Sequence, residues 1–265
     1  MKTVILIPAR FASSRFPGKP LVELRGASGA AKTLIERSFD AARQVPGVEA
    51  VYVVTDDRRI ADVAEGFGAP VIMTAESCRN GTERCAEALS SLDGPDLVIN
   101  FQGDALLTPP LFVAALIDLF AANPDAQVAT PAMRQRSDEV RALQAEEAAG
   151  RVGGTSVTVN GEDQALYFSK KLIPYLPEGA LDEILSPVRL HVGVYGYRPE
   201  ALRTYAAAPP SELELLEGLE QLRFLHAGVP IDVVEVPTPS FTLRELNNPG
   251  DIAPIEAALA AAGLD

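Results

Sequence analysis

Residues 1–21 read MKTVILIPARFASSRFPGKPL, and the reading of the whole chain starts from them. Val4 to Ile7 is an apolar run too short for a typical helix and β-branched at Val4, Ile5 and Ile7, the pattern of a strand buried on both faces. The stretch after it breaks that pattern. Arg10, Arg15 and Lys19 follow with no acid among them, beside Ser13, Ser14 and a Gly18 set between Pro17 and Pro20. In a chain with 36 acids against 23 bases, such a local reversal of charge marks a site. A strand that ends in a cationic, Gly- and Ser-containing loop and then feeds a helix suits a phosphate: backbone N–H groups face the anion and the Arg and Lys heads neutralise it. The other reading of these residues is a solvated basic loop with a proline-fixed turn. The loop is neither common nucleotide fingerprint. Ser13 and Pro20 stand where a P-loop has Gly and Ser or Thr, and a dinucleotide loop has three spaced glycines where this one has Gly18 alone.

Bulk properties narrow the partners. The 265 residues make one large domain, or a domain with an appendage, and 47% apolar residues supply a sizeable core. A formal charge of −13 argues against nucleic acid and against anionic membranes, though not against a small anionic substrate met by a local cluster. No apolar run approaches the ~20 residues of a membrane span, and the N-terminus lacks a signal-peptide pattern. Cys78 and Cys85 are too few for a disulfide framework and have no Cys or His cluster around them. Together these point to a reducing cytoplasm.

Along the chain, Thr33 to Arg43 has helical spacing, Val51 to Val54 reads as a second buried strand, and Asp57 as the N-cap of a helix over 58–67 or a carboxylate near a ligand. Val71 to Met73 is a third strand. Gly81-Thr82-Glu83-Arg84 opens the next helix, with Thr82 as a cap that turns orphan N–H groups toward an anion, and Arg79 and Arg84 adding charge. Leu97 to Phe101 is a fourth strand ending in Gln102-Gly103-Asp104, a carboxylate where open α/β sheets bind ligands; a simple turn cap is the alternative. Pro109-Pro110 starts a helix to about Ala122, Gln127 to Pro131 is a strand, and Arg134 to Gly150 a surface helix. From Thr155 the pattern alternates around Asn160-Gly161, so residues 150–210 read as an appended antiparallel region. Arg189 to Tyr197 reads as one strand with His191, Gly193 and Tyr195 on one face. Ser211 and Glu214 form a capping box for an amphipathic helix SELELLEGLEQLRFL, whose apolar side is Leu213, Leu216, Leu219, Leu222 and Phe224.

The run IPARFASSRFPGKPL, Gln102-Gly103-Asp104, ALYFS at 165–169 and RLHVGVYGY at 189–197 resemble the signature motifs of the CMP-Kdo synthetases, the 3-deoxy-manno-octulosonate cytidylyltransferases, over most of the chain. The resemblance implies a Rossmann-like three-layer α/β nucleotidyltransferase fold with a mostly parallel sheet and an appended antiparallel sugar-binding and dimerisation region. It implies a cytoplasmic homodimer that joins CTP to the acidic sugar Kdo, giving CMP-Kdo and pyrophosphate for lipopolysaccharide or capsule synthesis. By resemblance, Arg10, Arg15 and Lys19 hold the triphosphate. Ala9, Arg10, Ser13, Arg79, Asn80, Gly81, Thr82, Arg84 and Gln102 line the nucleotide. Lys170, His191, Gly193, Tyr195, Glu220 and Gln221 line the sugar, and Asp104 and Asn247 hold magnesium. Five positions depart from the family pattern: Arg79 for glutamine, Asn80 for serine, Ala105 for glutamate, Lys170 for arginine, and Asn247 for the second metal-binding aspartate. Lysine lacks the planar fork of arginine, and an amide oxygen coordinates magnesium without the negative charge. Two alternatives follow: a cytidylyltransferase for a related acid sugar, 8-amino-Kdo or sialic-acid-like, or a catalytically weakened nucleotide-binding paralogue.

Overall fold

The computed structural model describes residues 1–12, 16–241 and 243–265. Its first strand, β1 (Thr3–Ala9), is buried at every residue, as a strand covered on both faces must be. A small hairpin follows, β2 (Glu23–Arg25) against β3 (Ala31–Thr33). Then come α1 (Leu34–Arg43), β4 (Ala50–Thr55), α2 (Arg58–Gly66), β5 (Val71–Met73), α3 (Gly81–Ala88), β6 (Leu97–Phe101) and α4 (Pro110–Ala122). Helix starts are where the capping residues put them: Thr33 accepts from the Glu36 N–H, and Asp57 from the Arg59 N–H. At α3 the cap is Asn80, whose side chain accepts from the Glu83 N–H at 2.8 Å, while Thr82 lies inside the first turn. That corrects the reading of Thr82 as the cap; Asn is at least as good a cap as Thr and stands two residues earlier.

The second half holds β7 (Val128–Arg136), α5 (Ser137–Ala148), β8 (Ser156–Val159), β9 (Ala165–Ser169), β10 (Leu185–His191), β11 (Val194–Tyr197), α6 (Pro199–Ala207), α7 (Glu212–Glu217), α8 (Leu222–His226), β12 (Ile231–Glu235) and α9 (Ile252–Ala262). One sheet joins both halves, in the order β5-β4-β1-β6-β11-β7-β10-β8-β9, with β12 parallel to β7. The block β5-β4-β1-β6 is parallel; from β11 onward the path is antiparallel. Helices α1, α2 and α4 cover one face, and α3, α6 and α8 the other. A third apolar cluster lies under the hairpin and α9, where Leu106, Leu107, Leu246, Ile255 and Leu259 meet.

Two sequence expectations are revised. Arg189 to Tyr197 is not one strand but β10 and β11, kinked at Val192-Gly193. Both run against β7, but on the other edge β11 pairs with β6 and β10 with β8, so the kinked line opens a fork. The run 211–225 is likewise broken. Gly218, left-handed at φ 61°, ends α7, and α8 begins only at Leu222. Leu222 and Phe224 are buried as expected, but α7 is inside out: Glu214 is buried, while Leu213 and Leu216 are 45% and 75% exposed.

Candidate functional site

The chain leaves β1 first to one side, for β4 and β5, and later to the other, for β6. Ligands bind in open α/β sheets at such a switch point, outside the carboxyl ends of the strands. Here those ends are Ala9-Arg10 on β1 and Gln102-Gly103-Asp104 after β6. Small residues bring the loops together. A Cβ on Gly103 would stand 2.8 Å from the Pro8 carbonyl oxygen, and one on Gly81 3.0 Å from Gln102 Nε2 and 3.2 Å from Pro8 Cγ. The Ser38 hydroxyl of α1 donates to the Gly103 carbonyl at 2.9 Å.

Around this crevice the charged candidates meet. Arg10 Nη1 donates to the Arg79 carbonyl at 3.1 Å, joining the loop after β1 to the loop before α3. Lys19 Nζ lies 2.5 Å from Asp104 Oδ2 and donates to the Leu246 carbonyl at 3.0 Å, so Asn247, the next residue, belongs to the same corner. The loop is closed by Gly18, in the left-handed region at φ 72°, whose N–H donates to Phe11 O at 2.9 Å. Arg59 stacks on the Phe11 ring, 3.3 Å from its centroid, and is held by both oxygens of Asp57. Ser13 and Arg15 lie outside the described residues.

At the start of α3 the assignments divide. Arg79 is exposed at the crevice and paired with Glu83. Thr82 and Arg84 point inward. Thr82 is fully buried; its N–H donates to Glu220 Oε2 at 3.0 Å and its hydroxyl meets the Tyr197 hydroxyl at 3.0 Å. Arg84 is buried between Thr74 Oγ1, at 2.5 Å, and Asp56, at 3.3 Å. Neither offers the crevice a free group; both fix the helix that carries Asn80 and Gly81.

Behind α3 lies a second, more polar cluster of buried side chains, here called the recess. Glu220 accepts from Gln102 Nε2 at 3.1 Å as well as from Thr82, and burial raises its pKa above the usual carboxylate value. His191 sits between Phe168 and Tyr195, with ring centroids 5.3 and 5.2 Å away. An edge of His191 is exposed, but its Nε2 is sealed from solvent without a hydrogen-bond partner, and burial pushes its pKa down to about 3. Asn100, opposite Tyr195 across the β6–β11 ladder, is fully buried with both amide atoms unpartnered, and the buried Gln221 has an unpartnered Nε2. Buried polar atoms are rarely left without partners, so this recess is built to receive polar groups or water. Gly193, at the kink, links recess and crevice: a Cβ there would stand 3.7 Å from Glu245 Oε1 and 3.9 Å from Gln102 Cγ. Lys170 is exposed at the end of β9, over the α7–α8 elbow, with its N–H on Glu217 Oε2 at 3.0 Å. Asn100 was not among the sequence candidates, although an amide inside the apolar run LVINF was a visible signal.

A parallel-sheet crevice with cations and a carboxylate on one side and a polar recess on the other defines an α/β protein that binds a phosphorylated nucleotide next to a second polar substrate. The family model described as cytidylyltransferase matches residues 4–232, and the chain belongs to that family. It is 40% identical to the 3-deoxy-manno-octulosonate cytidylyltransferase of Maricaulis maris, over 99% of each chain. It is 37% identical to the 8-amino-3,8-dideoxy-manno-octulosonate cytidylyltransferase of Shewanella piezotolerans, over 98% of this chain and 99% of that one. Among solved structures it is similar to a CMP:2-keto-3-deoxy-manno-octonic acid synthetase complexed with CTP, with a TM-score of 0.84, 34% identity, and coverage of 99% of this chain and all of the other.

Proposed function

We propose that this cytidylyltransferase joins CTP to Kdo, giving CMP-Kdo and pyrophosphate. The observation that carries the reading is the hydrogen bond from Gln102 to Glu220, which ties the cationic crevice to the recess of unpartnered polar atoms. A triphosphate suits Arg10, Lys19 and Arg79; a polyhydroxylated acid suits the groups around Glu220, Gln221, His191, Tyr195 and Asn100. In the reaction a sugar hydroxyl oxygen bonds to the α-phosphorus of CTP, the bond to the pyrophosphate oxygen breaks, and the hydroxyl proton is lost. Such transfer is accelerated mainly by positioning and charge neutralisation. Arg10 and Lys19 neutralise the triphosphate and the leaving pyrophosphate, the start of α3 fixes the nucleotide, and the buried walls of the recess exclude water from the attacking hydroxyl.

The donor set fits magnesium delivered with the nucleotide. Among the described residues no group of three His, Cys, Asp or Glu is poised to hold an ion alone. Magnesium commonly takes one or two protein carboxylates and completes its shell with phosphate oxygens. Asp104, with the Lys19 ammonium standing as a cation against it, and the Asn247 amide oxygen are the residues that would hold it. When bound, the ion supplies charge neutralisation at the phosphate oxygens and acidifies or orients the attacking hydroxyl.

The exposed apolar side chains Leu166, Tyr175, Ile184 and Leu185 support a homodimer formed through the antiparallel region, and α7, tied to β9 through Glu217, adds Leu213, Leu215 and Leu216 beside it. The buried free thiols Cys78 and Cys85, and the lack among the described residues of any helix long and apolar enough to cross a membrane, support a cytoplasmic setting. The test is pyrophosphate release from CTP with Kdo, 8-amino-Kdo and sialic acid. Release with Kdo above the others is expected; none with any acid sugar overturns the reading.

A further inference from the structure

We propose that Arg223 and Glu214 are positioning residues for the nucleotide end of the site, holding the loop before α3 through Tyr205 and Glu83. The inference rests on the cytidylyltransfer reading above. Arg223, on α8, is only 1% exposed, and so large a buried cation needs a reason. Its Nε and Nη2 grip the Glu214 carboxylate at 2.8 and 2.5 Å, its Nη2 lies 3.0 Å from Glu83 Oε1, and its Cζ sits 4.0 Å over the Tyr205 ring. Both acids then act on the nucleotide loop. Glu83 accepts from the Arg79 N–H at 2.7 Å and pairs with the Arg79 guanidinium at 2.9 Å. The Tyr205 hydroxyl accepts from Asn80 Nδ2 at 2.9 Å and faces Glu214 Oε1 at 3.5 Å, leaving Asn80 Oδ1 to cap α3. Residues 79–83 are thereby clamped from α6, α7 and α8 at once.

Stability alone is a poor account of such a pair, because apolar residues of similar volume often serve a buried site as well. A planar guanidinium bound at two points on one carboxylate instead fixes direction, which is what a loop presenting backbone groups to a base or phosphate requires. The side chains of Arg223 and Glu214 make no contact with Lys19, Asp104 or His191. The Arg223 N–H donates to the Glu220 carbonyl at 3.2 Å, a backbone bond that side-chain replacement keeps, so loosening the clamp weakens CTP more than the sugar.

The test uses the full chain with Tyr205→Phe, Arg223→Lys and Arg223→Met. CTP is titrated by calorimetry, KM is measured for CTP and for Kdo, and melting is followed by circular dichroism. The expected result is a CTP Kd weakened about fivefold in Tyr205→Phe and about tenfold in Arg223→Met, the loss of one charge-assisted restraint, with Arg223→Lys recovering part of it. The Kdo KM stays within about twofold throughout, since a tenfold shift would need about 1.4 kcal/mol of lost contact. If Arg223→Met fails to fold, Tyr205→Phe and Arg223→Lys decide. Unchanged CTP affinity in both, or equal losses for both substrates, overturns the inference. A wild-type chain that binds CTP but releases no pyrophosphate overturns the activity reading alone, because the CTP titrations still decide the clamp.

Discussion

Lys19 Nζ and Asp104 Oδ2 stand 2.5 Å apart across the end of the sheet, one from the loop after β1 and the other from the loop after β6, with side chains 21% and 16% exposed. The pair closes the crevice and sets a cation against the carboxylate assigned to the metal. Replacing Lys19 by Met is expected to lower kcat/KM for CTP about 100-fold, the scale of one lost charge-stabilising donor. Asp104→Asn is expected to lower kcat by a similar factor and raise the magnesium needed for half-maximal rate. Pyrophosphate-release kinetics at several magnesium concentrations check both; a full rate in Asp104→Asn removes the carboxylate from the mechanism.

Asn247 holds its place through its N–H, which donates to Asp251 Oδ2 at 2.9 Å. That anchor survives Asn247→Asp, which adds one negative charge to the corner shared with Lys19 and Asp104. The magnesium concentration for half-maximal rate should fall several-fold, on the order of the tenfold per 1.4 kcal/mol that one added ligand charge readily supplies. Relative rates with Kdo and 8-amino-Kdo should not change. An altered sugar preference would place Asn247 in the sugar recess instead.

Gly103 has no room for a side chain. With a Cβ only 2.8 Å from the Pro8 carbonyl oxygen, backbone must move, and Gly103→Ala should cost about 1–3 kcal/mol of stability, as overpacking does. Because Asp104 is the next residue, activity should fall further than stability accounts for. Urea denaturation beside kinetics at low temperature, where the variant stays folded, separates the two losses.

The sealed His191 gives a pH dependence of defined sign. Its folded pKa of about 3 lies below the unfolded value of roughly 6.5. Above 6.5 both states are neutral there and nothing is lost. As pH falls from 6.5 toward 3, the unfolded chain takes up a proton that the folded chain refuses, and stability declines by up to about 1.4 kcal/mol per pH unit. Burial raises the pKa of Glu220 and of Asp232, which acts in the opposite sense, so the measurement is a difference between wild type and His191→Gln. Urea midpoints at pH 7.5, 5.5 and 4.5 should diverge in favour of the variant as pH falls; parallel midpoints would show His191 protonating freely.

Leu216, 75% exposed on α7, tests the proposed dimer. Leu216→Glu should leave the fold intact, since the side chain is already in solvent within one chain, and shift sedimentation toward the monomer. An unchanged sedimentation coefficient would move the interface elsewhere.

The site's framework was legible because it depends on local signals. A buried strand followed by cations, and a second ending in Gln-Gly-Asp, fall at the carboxyl edge of any parallel sheet, and β1 and β6 place Arg10, Lys19, Gln102 and Asp104 there. What escaped depends on partners distant in sequence. Leu213 and Leu216 share the helical spacing of 211–225, yet their burial is reversed because Glu214 reaches inward to Arg223. Alternation runs unbroken through RLHVGVYGY, so nothing local marks the point where its pairing passes from β8 to β6. Thr82 and Arg84 are the right chemistry for a nucleotide, but Glu220, Tyr197 and Asp56 claim them first.

The fork at Val192-Gly193 has an evolutionary corollary. His191 and Tyr195 are displayed by paired strands, with Gly193 at the bend between them, so the orientation of both side chains is locked to ladder registration. Inserting or deleting one residue in β10 or β11 would turn every following side chain to the opposite face. Diversification toward new acid sugars in this lineage must therefore proceed by point replacement at fixed chain length, whereas the exposed segments around Lys170 and Tyr175 are free to vary in length.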